Sequence, residues 1–526
     1  MPNSTVNRVS TLPGPQNIQT YRHRPYDVSR GFFAGKLSRR MAPRAIFAAC
    51  VLLIITGPPN VNAQTSRVRI VVTSVAPARL TITSEAPWPI NSLSFLNTYG
   101  GVLGLAERIE KLEASKASGE SVPVRKLAPG EFQTDENFTR FSYNVNISEL
   151  ARPEHMSHVS WLDRNHGLLM LEDLLPQSTN QPGKSSTTLI QLDVPTGWTS
   201  TANVKSEGGQ YSTDDPEKTV FLIGPLVHET SRRIGSGSSM SFSLIKSGQW
   251  PFSDDDALTL VSKLIREYSK VTGFGIKRRT GLMLVPFPGE VGPGRWSAET
   301  RGNVVVLILG RVAPRKDILT RLGIVLSHEL FHLWVPNSLK LEGEYDWFFE
   351  GFTLYQALRM DLRLGWISFE DYLATIGRVY DSYLASSERD KFSLVEASQR
   401  RWTMSSALVY DQGMLVAFIY DLLLMRRSGC KASLDDVYRQ LFRQQMTGHA
   451  GANATIIRLL SGQVGMESFA SDYIEGTAKI DLEKLLPPFG FQVWRDVSGT
   501  NRIKLAIGPN LSKPQRKLLG CIGSGK

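Results

Sequence analysis

The segment RLGIVLSHELFHLWV constrains this 526-residue chain more than any other feature, because it contains the pattern His-Glu-x-x-His. In an α-helix, His328 and His332 lie one turn apart on the same face, so both imidazoles can reach one ion, with Glu329 beside them. The surrounding apolar spacing predicts a helix from about Asp317 to Trp334. The same letters also occur in buried helices that bind no metal. The pattern alone therefore leaves two alternatives, a metal site and an ordinary core helix.

A second predicted helix, from Trp347 to Arg363, supplies a third candidate ligand. Glu350 follows His332 by 18 residues, and two antiparallel helices joined by such a loop can bring its carboxylate to the same ion. Its neighbours are phenylalanines, and burying a lone carboxylate among them would be costly. The alternative for Glu350 is a solvated helix residue. The spacing favours a zinc site with three protein ligands, an open position, and Glu329 as the catalytic acid/base.

Three separated motifs carry a family resemblance, namely HELFHLW, WFFEGFTLY and VYDQGMLVAFIYDLLLMR. In this order they resemble the catalytic domain of the glycyl aminopeptidase family of gluzincin metallopeptidases, relatives of aminopeptidase N and thermolysin. The resemblance covers roughly residues 250–492 and includes YIEGTAKIDLEKLLPPFGF near its end. It implies one zinc per chain, held by His328, His332 and Glu350. It also implies a general base at Glu329 and a transition-state hydrogen-bond donor at Tyr410.

The chain departs from this family in three places. The family has its tyrosine before a short x-Lys-Gly, whereas Tyr410 is followed by Asp-Gln-Gly. The connector that precedes Glu350 is shorter than the family typically shows and is closer to that of aminopeptidase N. The PDZ domain that often follows the catalytic domain is expected to be absent. A buried aromatic residue at the start of a helix is therefore the alternative role for Tyr410.

Aminopeptidases also need an acidic group that holds the free amine of the substrate. Glu299, in the segment RWSAETRGN before an apolar strand, is the candidate for this substrate-binding role. Its alternative is a carboxylate in a surface loop. Among the other histidines, His155 and His158 are expected to be surface residues of a loop.

The periodicity of the chain predicts a multidomain α+β protein. Residues 64–250 alternate with period two, as in RVRIVV, RLTITS and TTLIQLDV, and predict a β-rich N-terminal domain in which residues 107–117 look helical. From Ser253 onwards the apolar residues recur with a helical period, which predicts a mostly helical domain over residues 251–492. The family resemblance implies that this domain is a thermolysin-like zinc peptidase domain. The basic residues 493–526 predict a poorly ordered tail.

Residues 1–63 predict an N-terminal extension and a signal peptide. A short basic start at Met41 precedes the apolar region 45–56, and a small-residue site ends at Ala63. That region is short for a membrane span, which takes about 20 residues. We therefore expect cleavage after Ala63 and an exported protein, periplasmic or extracellular. The alternative is a membrane anchor formed by the uncleaved segment 45–56.

The net charge of +11 does not predict a nucleic-acid partner. Residues 1–63 and 493–526 hold the excess, and the part between them has 45 basic and 47 acidic residues, without the basic surface that nucleic acid requires. Three cysteines form no disulfide framework. Cys50 lies in the signal segment, while Cys430 and Cys521 either pair in an oxidising compartment or stay as free thiols.

Together these features predict zinc-dependent hydrolysis of peptide bonds, with aminopeptidase action on small N-terminal residues as the expected activity. The partner is a peptide or protein substrate, and the oligomeric state is left open. A zinc endopeptidase is one alternative. The other is a non-catalytic binding or scaffold protein that keeps a peptidase fold, although the complete His, Glu, His and Glu set speaks against it.

Overall fold

The structure is a computed structural model that describes residues 64–522, apart from residues 149–151, 178–185, 236–239, 293, 311–313, 402–406, 445–449, 498 and 500. The predicted signal peptide, its apolar region 45–56 and its cleavage site at Ala63 lie outside the described residues and stay predictions.

The first part of the described chain is rich in β-strands, as the period-two pattern predicts. Its large sheet, the N-terminal sheet, buries alternate residues such as Leu80 and Ile82 and leaves their neighbours partly exposed. In the part of the chain that the structure describes, this sheet has nine strands: Gln64–Val75, Ala78–Ser94, Ile109–Ser115, Ser121–Val122, Arg125–Ala128, Glu131–Asn146, Ser186–Asp193, Lys205–Glu207 and Gln210–Thr213.

A second sheet, the central sheet, crosses the boundary that the sequence predicts between the two domains. Its five described strands run in the order His228–Ile234, Met240–Lys246, Thr280–Pro286, Val304–Leu309 and Trp296–Arg301. The first two precede residue 251 and the other three follow it, so this sheet contains strands from both predicted domains. The periodicity could not reveal this, because a strand looks alike in either domain. The last strand, Trp296–Arg301, pairs antiparallel at the edge of the sheet.

Both faces of the central sheet are covered, which explains its continuous apolar strands. The helices of the second half cover one face. A four-stranded sheet covers the other, and its described strands are Trp161–Leu162, Gly167–Met170, Thr199–Ala202 and Val220–Gly224. The buried side chains between these two sheets include Trp161, Leu168, Met170, Val220, Leu222, Met283, Val285, Val304, Val306 and Ile308.

Helices dominate the chain after residue 253, in agreement with the change of period. Ser253 caps the first of them in a capping box with Asp256, and Gly273 ends it. The longer described helices are Asp254–Thr272, Arg315–Glu329, Thr353–Arg363, Phe369–Ala385, Gly413–Ser428, Leu434–Gln444, Ala452–Ser461 and Lys513–Cys521. The shorter ones are Leu394–Gln399, Phe469–Tyr473 and Leu482–Leu485, and one further short helix, Leu171–Leu174, lies in the β-rich part.

Two π-helical turns interrupt these helices at positions that matter for the site. Trp347–Phe352 precedes the helix Thr353–Arg363, and Leu408–Gln412 precedes the helix Gly413–Ser428. Among the described residues, the run Leu408–Ser428 is long and apolar enough to cross a membrane, but 94% of that window is buried inside the protein. The N-terminal β-rich part and the helical part confirm the predicted α+β fold class.

Two local expectations are wrong. Residues 109–115 form a strand of the N-terminal sheet rather than a helix. The described part of the predicted tail does not form a loose segment, because Phe491–Arg495 and Ile503–Ile507 form a hairpin that packs on the helix Phe369–Ala385. The helix Lys513–Cys521 follows, and a disulfide joins Cys521 to Cys430. Apolar contacts such as those of Ile503 and Leu505, both buried in the core of the helical part, account for this order.

Candidate metal centre and catalytic site

The helix Arg315–Glu329 places the histidine pair at its C-terminal end. It packs its apolar face, which includes Leu322 and Leu326, into the core of the helical part. After Glu329 the chain tightens into the 3₁₀ turn Leu330–Leu333, which carries His332. The two imidazoles still meet as the spacing predicts, with 3.1 Å between Nε2 of His328 and Nε2 of His332.

The second ring nitrogen of His332 fixes which of its atoms faces the site. Nδ1 lies 3.0 Å from the carbonyl oxygen of Val335, and because that oxygen only accepts, Nδ1 carries the proton and donates it. Nε2 then keeps its lone pair for a ligand. Nδ1 of His328 is buried and has no hydrogen-bond partner among the described residues.

Glu350 lies on the π-helical turn Trp347–Phe352 and faces both histidines. Its Oε2 is 3.6 Å from Nε2 of His328 and 3.6 Å from Nε2 of His332. Its side chain is buried, which rules out the solvated helix residue that was the alternative. Burial would raise the pKa of this carboxylate, but Arg401 and the two histidines outweigh burial and lower the pKa to about 2. Glu350 is therefore an anion at neutral pH.

These three side chains fit a zinc ion by their chemistry and spacing. Their ligand atoms all lie within 4.8 Å of one another. Two imidazole nitrogens and one carboxylate oxygen form a donor set that zinc accepts at about 2.0–2.2 Å. Tetrahedral ligands at that distance are separated from one another by about 3.3–3.5 Å, close to the 3.1 and 3.6 Å observed here.

The electrostatics of the two histidines differ. Burial lowers the pKa of His328, but its hydrogen bond with Glu350 and the charge of Glu329 overcome burial, so that its pKa is raised. For His332 burial prevails and the pKa is lowered. Both directions describe the protein without an ion. The neutral imidazole that a metal requires is thus already favoured at His332.

Glu329, the predicted acid/base, lies between the histidines and the edge strand of the central sheet. The hydroxyl of Thr300 is 2.8 Å from its Oε2 and 2.7 Å from its backbone oxygen. Glu329 is buried, with 3% of its surface exposed. Thr300 thus holds the Glu329 carboxylate in a buried position beside the histidine pair.

Tyr410 reaches the same cluster from the second π-helical turn, Leu408–Gln412. Its hydroxyl oxygen accepts a hydrogen bond from Nη2 of Arg401 at 2.6 Å. Burial raises the pKa of this phenol well above its ordinary value, and the positive charge of Arg401 only partly opposes burial. Tyr410 is therefore neutral at physiological pH and can act as a hydrogen-bond donor.

Glycines allow the two π-helical turns to touch. A Cβ added at Gly351 would lie 2.6 Å from the Cα of Gly413, and one added at Gly413 would lie 2.8 Å from the carbonyl oxygen of Trp347. No side chain fits between the turns at these two positions. This close approach brings Glu350 and Tyr410 to one side of the site. Gly413, the glycine of the Asp-Gln-Gly sequence, is therefore required for the packing of the two turns.

Arg401 is the site residue that the sequence analysis missed. It is 1% exposed and its Nη1 pairs with Asp346. Its Nη2 lies 3.1 Å from Oε1 of Glu350 and 2.6 Å from the hydroxyl of Tyr410. No motif flags it, because an arginine outside the recognised segments carries no spacing signal. Only the fold brings it to the ligand and the tyrosine.

The structure does not place Glu299 as a group for the substrate amine. Glu299 and Thr300 are adjacent in the strand Trp296–Arg301, so their side chains point to opposite faces, and Thr300 is the one that faces Glu329. The Glu299 carboxylate accepts hydrogen bonds from Tyr99 and Arg301 and pairs with Nδ1 of His158 at 2.8 Å. It is neither free for an amine nor a surface loop carboxylate.

Glu299 instead belongs to a buried polar junction between the β-rich part and the central sheet. Nη1 of Arg301 pairs with Glu172 at 2.6 Å, and its Nη2 donates to the backbone oxygen of His158 at 2.7 Å. His158 is 2% exposed, so its expected place on the surface is wrong. The strand that carries Thr300 is thereby fixed from the side opposite to the histidines.

Comparison with known proteins bears on the family resemblance and on the fold. Residues 321–416 match the family model described as M61 glycyl aminopeptidase, which confirms the predicted resemblance over the histidines, Glu350 and Tyr410. No curated protein matches the chain.

Solved structures resemble this chain over most of its length. The aminopeptidase N family protein from Idiomarina loihiensis is 20% identical, with a TM-score of 0.69, over 85% of this chain and 82% of that one. The M1 zinc metallopeptidase from Deinococcus radiodurans is 16% identical, with a TM-score of 0.50, over 80% of this chain and 95% of that one. A mutant of the latter bound to a Tyr-Ser-Ala substrate is 15% identical, with a TM-score of 0.51, over 80% of this chain and 95% of that one. These likenesses show that the described elements form a fold of the aminopeptidase N type.

Proposed function

We propose that this chain, which has an aminopeptidase N type fold and an M61 glycyl aminopeptidase segment at residues 321–416, hydrolyses peptide bonds as a zinc-dependent peptidase. The observation that carries the proposal is the meeting of His328, His332 and Glu350, whose ligand atoms lie within 4.8 Å of one another beside the buried Glu329. One zinc per chain is the expected cofactor, because the three donors match its preferences.

When bound, zinc would polarise the scissile carbonyl and make a water molecule more acidic. The residues of the chain supply the rest of the chemistry. Glu329 is buried and held by Thr300, and it accepts the proton of the attacking water and later returns it to the leaving amine. A fixed carboxylate performs both transfers better than a mobile one, because the proton moves over hydrogen-bond distance.

Tyr410 donates a hydrogen bond to the oxyanion that develops on the scissile carbonyl. Its neutrality, which follows from burial, keeps the proton available for that bond. A single placed donor of this kind is worth about 2.7–4 kcal/mol in the transition state. Glu350 and Tyr410 reach the site through the touching π-helical turns, so the ligand and the donor keep a fixed separation.

Aminopeptidase action on small N-terminal residues is the specificity that we propose. The M61 glycyl aminopeptidase match supports it. The likeness to a metallopeptidase whose mutant binds a Tyr-Ser-Ala substrate supports action on a peptide, but not the preference for a small first residue. Glu299 does not contribute to this specificity, since its carboxylate is held in the junction between the two parts. The group that would hold the amine of the substrate is left open in this proposal.

We further propose that the protein is exported. The basic start, the apolar region 45–56 and the site at Ala63 support a signal peptide. The disulfide between Cys430 and Cys521 supports an oxidising compartment. Its partner there is a peptide or protein substrate.

The proposed function is tested with the purified chain carrying one zinc. We expect hydrolysis of peptides that begin with glycine or alanine, loss of hydrolysis after dialysis against a chelator, and recovery when zinc is restored. Blocking the amine by N-acetylation should abolish cleavage by an aminopeptidase but not by an endopeptidase. A protein with stoichiometric zinc that cleaves no member of a peptide library would contradict the proposal.

A further inference from the structure

Arg401 connects two parts of the site that lie on different elements. Glu350 belongs to the turn Trp347–Phe352 and Tyr410 to the turn Leu408–Gln412. One nitrogen of Arg401, Nη2, lies 3.1 Å from Oε1 of Glu350 and 2.6 Å from the Tyr410 hydroxyl. A single guanidinium nitrogen is therefore shared between the candidate metal ligand and the candidate oxyanion donor.

The contact with Glu350 determines which carboxylate oxygen faces the histidines. Arg401 engages Oε1, while Oε2 is the atom 3.6 Å from both imidazoles. Hydrogen bonds to the outer oxygen of a ligating carboxylate fix its orientation toward the metal. If Arg401 were absent, the carboxylate could rotate and offer either oxygen.

The contact with Tyr410 determines how the phenol is placed. A guanidinium has only donors, so the Tyr410 oxygen accepts the hydrogen bond from Arg401. The guanidinium also lies 5.4 Å from the centroid of the Tyr410 ring. These contacts restrain the phenol through its oxygen and its ring.

The fork of Arg401 is itself fixed by a third partner. Nη1 pairs with Asp346, which is 7% exposed and precedes the turn that carries Glu350. A buried arginine whose planar fork is held at both ends loses little further freedom when it orients another group. Asp346 therefore fixes the guanidinium of Arg401, and the guanidinium in turn contacts Glu350 and Tyr410.

We propose that Arg401 is a positioning residue that holds the Glu350 carboxylate and the Tyr410 hydroxyl in a fixed orientation relative to each other. This inference rests on the proposed function, because it assigns those two groups to the metal and to the oxyanion. It goes beyond that function, since Arg401 belongs to none of the motifs on which the function is based. Its effect on the reaction is exerted through Tyr410, and its effect on the metal through Glu350.

A double-mutant cycle separates positioning from mere support of the fold. Arg401→Lys keeps a positive charge beside Asp346 and Glu350 but cannot reproduce the planar fork. With saturating zinc and a peptide that the wild type cleaves, we expect kcat of Arg401→Lys to fall about 10–100-fold, with KM changed less than about threefold. In a Tyr410→Phe background, Arg401→Lys should lower kcat by less than about threefold, because the hydroxyl that Arg401 orients is absent.

Zinc affinity gives a readout that does not depend on turnover. Competition with a chromogenic chelator should show zinc binding weakened by about 10–100-fold in Arg401→Gln, the usual effect of removing a partner of a ligand. Tyr410→Phe should weaken zinc binding less than Arg401→Gln does, because the phenol that also hydrogen-bonds Glu350 carries no charge opposite to that of the carboxylate. Arg400→Gln is the matched control: Arg400 is the exposed neighbour that stacks on Phe392, and its removal should change neither quantity.

The outcomes distinguish this inference from the proposed function. If the wild type cleaves peptides and Arg401→Lys and Arg401→Gln keep both kcat and zinc affinity, the inference is wrong while the function stands. Equal losses of kcat on replacing Arg401 in the wild-type and Tyr410→Phe backgrounds would also overturn it, since they would show that Arg401 does not act through Tyr410. If the wild type cleaves nothing, the zinc affinities of Arg401→Gln and wild type still test whether Arg401 orients Glu350. A decline in kcat that only follows the fraction of unfolded protein, measured by circular dichroism, would reduce Arg401 to a structural residue and refute the inference.

Discussion

Replacing Gly413 with alanine tests the contact that brings the ligand turn and the tyrosine turn together. The added Cβ would lie 2.8 Å from the carbonyl oxygen of Trp347 and 3.0 Å from the Cα of Gly351. Both atoms belong to the backbone, so neither can rotate away, and the two turns must separate. Overpacking of this kind costs about 1–3 kcal/mol, while the better helix propensity of alanine returns at most about 1 kcal/mol. We expect a net loss of about 1–2 kcal/mol.

Thermal unfolding followed by circular dichroism measures this loss. One kcal/mol shifts the midpoint of a domain of 150–250 residues by about 2–4 °C, so Gly413→Ala should unfold several degrees below wild type. Gly520→Ala is the control, because Gly520 is also helical but its added Cβ meets nothing within 4 Å, and it should be neutral or stabilising. Peptide hydrolysis by Gly413→Ala should fall as well, since Tyr410 moves away from Glu350. A Gly413→Ala protein as stable and active as Gly520→Ala would refute the reasoning.

Three further substitutions have equally defined outcomes. Glu350→Ala should lose stoichiometric zinc by elemental analysis, because it removes one of three protein ligands, whereas the exposed Glu344→Ala should keep it; retained zinc in Glu350→Ala would reject the ligand assignment. Glu299→Gln should lower the thermal midpoint but leave the preference for free over acetylated peptides unchanged, and a selective loss of that preference would restore Glu299 as the amine-binding group. Cys521→Ser should unfold more easily than wild type by about 2–4 kcal/mol because it opens the bridge to Cys430, and a reductant should destabilise only the wild type; equal stability of reduced and oxidised wild type would show that the bridge does not stabilise the fold.

The sequence predicted the centre of the site because that part depends on local spacing. His328 and His332 share a helical turn whatever the rest of the chain does, and Glu350 follows in a second amphipathic helix. Tyr410 was reached only through the family resemblance, since its own neighbours Asp-Gln-Gly depart from the pattern. The structure brings all four side chains into one largely buried cluster, although it ends the α-helix at Glu329 and continues it as a 3₁₀ turn.

Contacts between distant segments were beyond sequence reasoning. Residues 109–115 contain good helix formers, but pairing with the strand Glu131–Asn146 overrides that propensity. Glu299 was assigned by its position before an apolar strand, and only the alternation of that strand shows that Thr300 faces the site instead. Arg401 lies 51 residues from Glu350 and carries no motif.

The C-terminal segment is also ordered by contacts with a distant part of the chain, which its own sequence does not reveal. Its basic, Gly- and Ser-containing sequence looked unable to fold alone, and by itself it has little apolar surface. Ile503 and Leu505 are nevertheless buried against the helix Phe369–Ala385, so the order comes from a partner that lies more than a hundred residues earlier. Cys521 comes close to Cys430 because its helix, Lys513–Cys521, contacts the helix Gly413–Ser428.

The central claim is that a buried carboxylate beside a metal-binding cluster transfers protons during peptide hydrolysis. Glu329→Gln tests it most directly, because glutamine keeps the size and the contact with Thr300 but loses the basic oxygen. The measurement is kcat for a peptide substrate, compared between wild type and Glu329→Gln proteins that both carry one zinc. We expect the same zinc content and thermal midpoint with kcat lowered about 10²–10⁴-fold and a much smaller change in KM. Hydrolysis by the zinc-loaded Glu329→Gln protein within about threefold of wild type, well short of that effect, would contradict the account.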